Sequence, residues 1–266
     1  MNPALVPSVP AAMWLSLDGN GHLFVTRGNQ VGSSGAIGEY GLDGQVVNAS
    51  LISGLNYPSG LALDRLGHFF VTAGNSILEY TTSGDFVRSA FEGNSPGGLA
   101  LDGHGRLLVA DWVSGVVGVY DANTLSLINP ALISGLTRPS SIVLDAKGHL
   151  YVANFGTFPN GFVGEYDAVS GAAINVSLIS GFSSPYGMTL DGDGHLFVAS
   201  NNGGYVAEFD AVSGATINSS LISGLGSPWG IAFAVPEPSS ISLIVAGAVL
   251  FCATRPRKID HRPTGT

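Results

Sequence analysis

Cysteine is all but absent from this sequence: Cys252 is the single one in 266 residues. That excludes an intrachain disulfide and any cysteine-rich zinc site. Charge is scarce too, at 11% of residues, and cations are scarcest. Residues 1–234 hold 6 basic against 17 acidic residues, a balance of −11, while residues 235–266 hold 4 against 2, a balance of +2, which together give the net −9. An acidic body repels phosphate backbones, so nucleic acid is excluded as an expected partner. No P-loop, dinucleotide fingerprint or Ser-His-Asp order is present, and no cofactor is called for. Residues 1–16 lack the basic n-region of an export signal.

What is plentiful is glycine, at 38 residues, with 14 prolines. Both break helices, and many short strands joined by turns need them. The phrase Leu-Asp-x-x-Gly-His recurs at Leu17–His22, Leu63–His68, Leu144–His149 and Leu190–His195, with an Arg-ended variant at Leu101–Arg106. The Asp positions 18, 64, 102, 145 and 191 are spaced by 46, 38, 43 and 46 residues. After each phrase comes an apolar run such as His195-Leu-Phe-Val-Ala199. An alternating run containing Glu-Tyr or a relative follows, then Ser-Leu-Ile-Ser-Gly-Leu or a relative, then Pro-x-Gly into the next unit. Each unit therefore reads as four short strands, a to d, separated by turn residues. A unit of about 40–45 residues is the size of one propeller blade, whereas the rungs of a parallel β-helix are much shorter. The expected fold is an all-β propeller of four-stranded blades, with five full repeats and a partial sixth over residues 1–234.

These repeats resemble the NHL-type six-bladed propellers in their Pro-x-Gly-Leu-Ala-Leu-Asp strand a and Gly-x-Leu-Phe-Val-Ala strand b, over residues 2–233. They differ in the third strand, which carries Gly-Glu-Tyr where that family has an Arg. Residues 2–18 align without a gap on 129–145, so a lone strand d opens the chain and a lone strand a, 229–233, ends the array. The expectation is that strands b and c of the sixth blade lie upstream of Met1, together with an export signal.

Composition changes after Ala234. Val235-Pro-Glu-Pro-Ser-Ser240 is followed by an apolar run, 241–253, and then by Arg255, Arg257 and Lys258. As a helix the uncharged stretch 239–254 would extend about 24 Å, against ~30 Å of membrane hydrocarbon. Basic residues after the run favour a cytoplasmic C-terminal end. The order of the three parts resembles the PEP-CTERM sorting signal, with its triad at Pro236, Glu237 and Pro238. That resemblance implies a hydrophobic helix over 241–253 that holds the chain in a membrane before processing. It also implies an exosortase-type membrane protease as partner, and an exported, cell-surface or extracellular-matrix address. Segment 235–258 is the expected sorting and anchor unit, and 259–266 a polar tail.

The repeated residues have a structural reading first. His22, His68, His149 and His195 share one repeat position around the axis, too far apart to hold one metal. The five Asp sit where a side chain caps its own turn. Asp191-Gly-Asp193-Gly begins like a calcium loop, but no full ligand set follows. The Asn-x-Ser triplets at Asn48, Asn175 and Asn218 also share one repeat position. Function is expected where the repeat stops repeating. Strands b–c and d–a connect on one end, the top. The b–c loops there open on Arg27, Ala73, Asp111, Asn154 and Ser200, the expected ring of the channel mouth, with Trp112, Phe155 and Asn201 following. The d–a loops contribute Tyr57, Arg138, Tyr186 and Trp229. Exposed aromatics beside amides suit a glycan or peptide ligand. The expected function is a surface-associated binding or scaffold module without catalysis. The alternative is a lactonase- or lyase-like propeller hydrolase with a channel metal on Asp111, Asn154 and Ser200, and a ring with one carboxylate is a poor divalent site.

Overall fold

The computed structural model describes residue 9 and residues 11–29, 34–64, 66–91, 94–157, 159–234, 241–246 and 251–255. Its regular structure is entirely strand. The first four-stranded sheet is β1 (Ala12–Leu17), β2 (His22–Arg27), β3 (Gly35–Gly41) and β4 (Val46–Leu55); the second is β5 (Pro58–Leu63), β6 (His68–Ala73), β7 (Ser76–Thr81) and β8 (Phe86–Phe91). The third is β9 (Pro96–Leu101), β10 (Arg106–Asp111), β11 (Val116–Asp121) and β12 (Leu127–Ile133). β13 (Pro139–Leu144), β14 (His149–Thr157), β15 (Asn160–Asp167) and β16 (Ala173–Phe182) form the fourth. β17 (Pro185–Leu190), β18 (His195–Ser200), β19 (Tyr205–Asp210) and β20 (Thr216–Ile222) form the fifth. A three-stranded sheet of β21 (Gly230–Ala234), β22 (Ile241–Ala246) and β23 (Phe251–Arg255) follows.

These are propeller blades, each a meander of antiparallel neighbours. The first strands form a closed ring: β1, β5, β9, β13, β17 and β21 touch in that order, and β21 touches β1. Burial follows from the ring. The second strands, Leu-Phe-Val and relatives, are buried along their whole middle because neighbouring blades cover both faces. Fourth strands lie outermost, and the first half of β4 and of β16 is exposed.

Two devices hold the ring. One is glycine at the third place of the Pro-x-Gly phrase, where adjacent backbones come so close that a Cβ on Gly60, Gly98, Gly187 or Gly230 would strike the next first strand. The other is a hydroxyl bridge. Thr72 Oγ1 accepts from Gly60 N at 2.7 Å and donates to Gly97 O at 2.8 Å, joining β5 to β9. Thr26 does the same between β1 and β5, accepting from Trp14 N and donating to Ser59 O. Replacing Thr72 by the isosteric Val leaves the Gly60 N–H and the Gly97 carbonyl without this partner. Chemical denaturation should show a loss of about 1–3 kcal/mol, against little change for an exposed control such as Thr216→Val.

At the C-terminal end the described residues 241–246 and 251–255 are strands. β22 pairs with β21 from Gly230↔Ala246 to Ala234↔Ser242, and β23 pairs with β22 from Ile241↔Arg255 to Val245↔Phe251. No helix among the described residues is long and apolar enough to cross a membrane. Residues 2–6, the Pro236-Glu237-Pro238 triad, Arg257 and Lys258 lie outside the described residues.

Candidate functional site

The top end is built from the b–c and d–a loops, and hydrogen bonds tie the b–c loops of the first, third, fourth and fifth blades to d–a loops beside them. Asn29 Oδ1 accepts from Gly35 N and from Tyr57 N, at 2.9 and 2.8 Å. Asn154, fully buried, accepts from Thr137 N through Oδ1 and donates through Nδ2 to Val152 O. Ser200 Oγ donates to Ser183 O, and Asn201 Nδ2 donates to Pro228 O. Asp111 is 2% exposed, and its Oδ1 accepts from Val113 N and Ser114 N, capping its own turn. Arg27 turns away from the channel, its guanidinium donating to Ala49 O and Ser50 Oγ on β4. The polar ring read from the sequence therefore secures loops, and its atoms do not converge on a common ligand position.

The aromatics do converge. Tyr186 is the hub, with ring centroids at 4.5 Å from Trp229, 6.0 Å from Trp112, 6.2 Å from Phe155 and 6.3 Å from Trp14. Trp112 and Phe155 touch each other at 5.0 Å, and the Arg138 guanidinium lies 6.0 Å from the Trp112 ring centroid. Burial pushes the Tyr186 phenol well above its ordinary pKa. Trp112, Phe155, Tyr186 and Trp229 are half-buried, so part of each ring faces out, while Trp14 is buried beneath them. All three tryptophans of the chain thus meet at one place across the channel top. Tyr57 stands apart: it is 67% exposed, with a φ of 46°. Sequence reading missed Trp14 altogether. Its signal was there, because Trp14 occupies the third place of the strand-a phrase, where four other blades carry glycine.

The opposite end gathers the repeated charges. His22 Nδ1 lies 3.2 Å from Asp18 Oδ2 and 3.3 Å from Glu39 Oε1, and the same trio recurs as His68-Asp64-Glu79, His149-Asp145-Glu165 and His195-Asp191-Glu208. In the third blade Arg106 Nε replaces the imidazole, 2.6 Å from Asp102 Oδ2. Each Asp also accepts backbone N–H bonds two and four residues on, as expected of a turn cap. Burial raises the Glu79 and Glu165 carboxyls, against the opposing pull of Arg88 on Glu79. Among the described residues no group of three or more His, Cys, Asp or Glu is arranged to hold a metal ion. The channel itself holds a cavity of about 410 Å³ below the aromatic cluster, lined by the ends of the six first strands, among them Leu17, Leu63 and Phe233.

No protein-family model matches the sequence, and no curated protein matches it. Solved structures do. The chain is similar to a structure from a nidogen/laminin complex, with a TM-score of 0.67 at 18% identity over 82% of this chain and 83% of that one. It is similar to hydrazine synthase of Kuenenia stuttgartiensis, with a TM-score of 0.68 at 14% identity over 91% and 76%. A third is catalytically inactive virginiamycin B lyase from Staphylococcus aureus with quinupristin, at a TM-score of 0.65 and 15% identity over 97% and 88%. At such identities the likeness shows the propeller fold alone.

Proposed function

We propose that this chain is an exported, surface-associated recognition module whose top aromatic face binds a glycan, with no catalytic step. The carrying observation is the convergence of Trp112, Phe155, Tyr186 and Trp229, each half-buried, on the channel mouth. Planar, partly apolar rings fixed by one another are suited to the C–H faces of a sugar, and they lose little side-chain entropy on binding. The rival metal-dependent hydrolase or lyase would need free ligands at that mouth, and Asp111, Asn154 and Ser200 are already bonded to loop backbone. A propeller from a nidogen/laminin complex is an instance of this fold found in a complex.

The address rests on the Pro236-Glu237-Pro238 spacer, the apolar run and the basic Arg255, Arg257 and Lys258, the order of parts that an exosortase-type protease would process. Strand pairing on β21 and insertion of 241–253 in a membrane are exclusive uses of the same residues. Fractionation of cells expressing the gene with its native upstream region tests the address. The expected result is a surface or matrix product cut near Pro236–Pro238; a full-length product confined to the cytoplasm would overturn it. A carbohydrate array alongside a peptide array tests the ligand class, with sugar hits expected, and hits among peptides alone would replace the glycan by a peptide partner.

A further inference from the structure

We infer that the sugar bound by this face is acidic and that Arg138 takes its carboxylate; the inference rests on the glycan reading above. The argument begins with where charge lies. Every described carboxylate of residues 11–234 except Asp111 belongs to the far end of the propeller. Asp18, Asp64, Asp102, Asp145, Asp191 and Asp193 sit in a–b turns, and Asp43, Asp85, Asp121, Asp167 and Asp210 in c–d turns. Glu39, Glu79, Glu165 and Glu208 face the histidines that open the second strands. Glu92 lies outside the described residues.

Six-residue strands separate the two ends by roughly 20 Å. That is about twice the screening length at physiological salt, so the acidic end hardly repels an anion on the other. At the top, Asp111 is buried and its Oδ1 accepts two backbone N–H bonds, and the Arg27 guanidinium is committed to β4. Among the described residues Arg138 is the remaining top-end cation. It is exposed, and among the described residues no carboxylate lies within ion-pair reach of it.

Its placement is fixed by its surroundings. The backbone of Arg138 holds a φ of 54°, and its carbonyl accepts from Phe155 N at 3.1 Å. The guanidinium rests over Trp112, 6.0 Å from the ring centroid, an arrangement that holds a cation over an aromatic face. Its planar fork keeps N–H donors available to pair bidentately with a carboxylate. A pyranose lying on Trp112 or Trp229 with its C6 carboxylate toward Arg138 would use both the apolar and the charged part of this face.

The test uses matched probes: galacturonate, glucuronate and mannuronate oligosaccharides, each as the free acid and as its methyl ester, titrated into the full chain. At least one acid should bind at least tenfold tighter than its own ester. Arg138→Gln should erase that difference, and added salt should weaken the acid alone. Esters bound as tightly as acids, only neutral sugars bound, or an Arg138→Gln variant that keeps the preference would overturn the assignment of Arg138 and leave the glycan face standing. Failure of every sugar, acidic or neutral, would sink the glycan reading together with it.

Discussion

Gly98→Ala should unfold this propeller far more readily than Gly97→Ala, although the two residues are neighbours on β9. A Cβ on Gly98 would lie 2.8 Å from Ser141 Cα and 2.9 Å from Ser140 O, both backbone atoms of the adjoining first strand. Backbone held in a closed ring cannot yield as a flexible side chain would. Overpacking typically costs 1–3 kcal/mol, and here about 3 kcal/mol is expected, or a fall in Tm of roughly 6–12 °C for a domain of this size. A Cβ on Gly97 meets nothing closer than Ser140 O at 3.4 Å, and no positive φ constrains that residue. Its replacement should leave Tm unchanged or raise it slightly, since alanine restricts the unfolded chain. Equal Tm values for the two variants in a thermal melt would mean that the first strands are not packed as described.

The second large effect concerns binding. Removing either half-buried indole, by Trp229→Ala or Trp112→Ala, should cost about 2 kcal/mol of affinity for a sugar found on the array, a loss of roughly 30-fold. His22, His68, His149 and His195 lie at the other end, engaged with Asp and Glu, and their replacement should leave affinity unchanged. Far-UV circular dichroism separates lost binding from lost fold. Indole variants that stay folded and bind as the native chain does would remove the aromatic face from the account.

The blade plan was legible because the period is long and nearly regular. The Leu-Asp-x-x-Gly-His phrase marks the a–b turn, and the apolar run after it marks the one strand covered on both sides. One kind of feature escaped. The use of polar loop residues did not show, because position on a variable loop does not reveal which way a side chain points. Asp111 reads as a free carboxylate until the N–H groups of Val113 and Ser114 are seen to claim it. Asn48, Asn175 and Asn218 share a repeat position that reads as structural, and each Oδ1 accepts from the N–H two residues on. They sit where the outer strand shifts register, as in Glu39↔Asn48 beside Ile37↔Ile52. Asn129 makes the same bond without a following Ser or Thr at the third place, so the repeated Asn serves a bulge that disturbs an exposed edge.

The central claim, a glycan-binding aromatic face at the channel top, has a built-in reporter. Trp14, Trp112 and Trp229 are the only tryptophans of the chain, and all three contact the Tyr186 cluster. Titrating the full chain with array-selected oligosaccharides while recording tryptophan emission is therefore the most direct measurement. A saturable change in emission is expected, reduced in Trp229→Ala and matched in midpoint by calorimetry. Calorimetric binding with no change in tryptophan emission would place the ligand elsewhere on the propeller and contradict the claim.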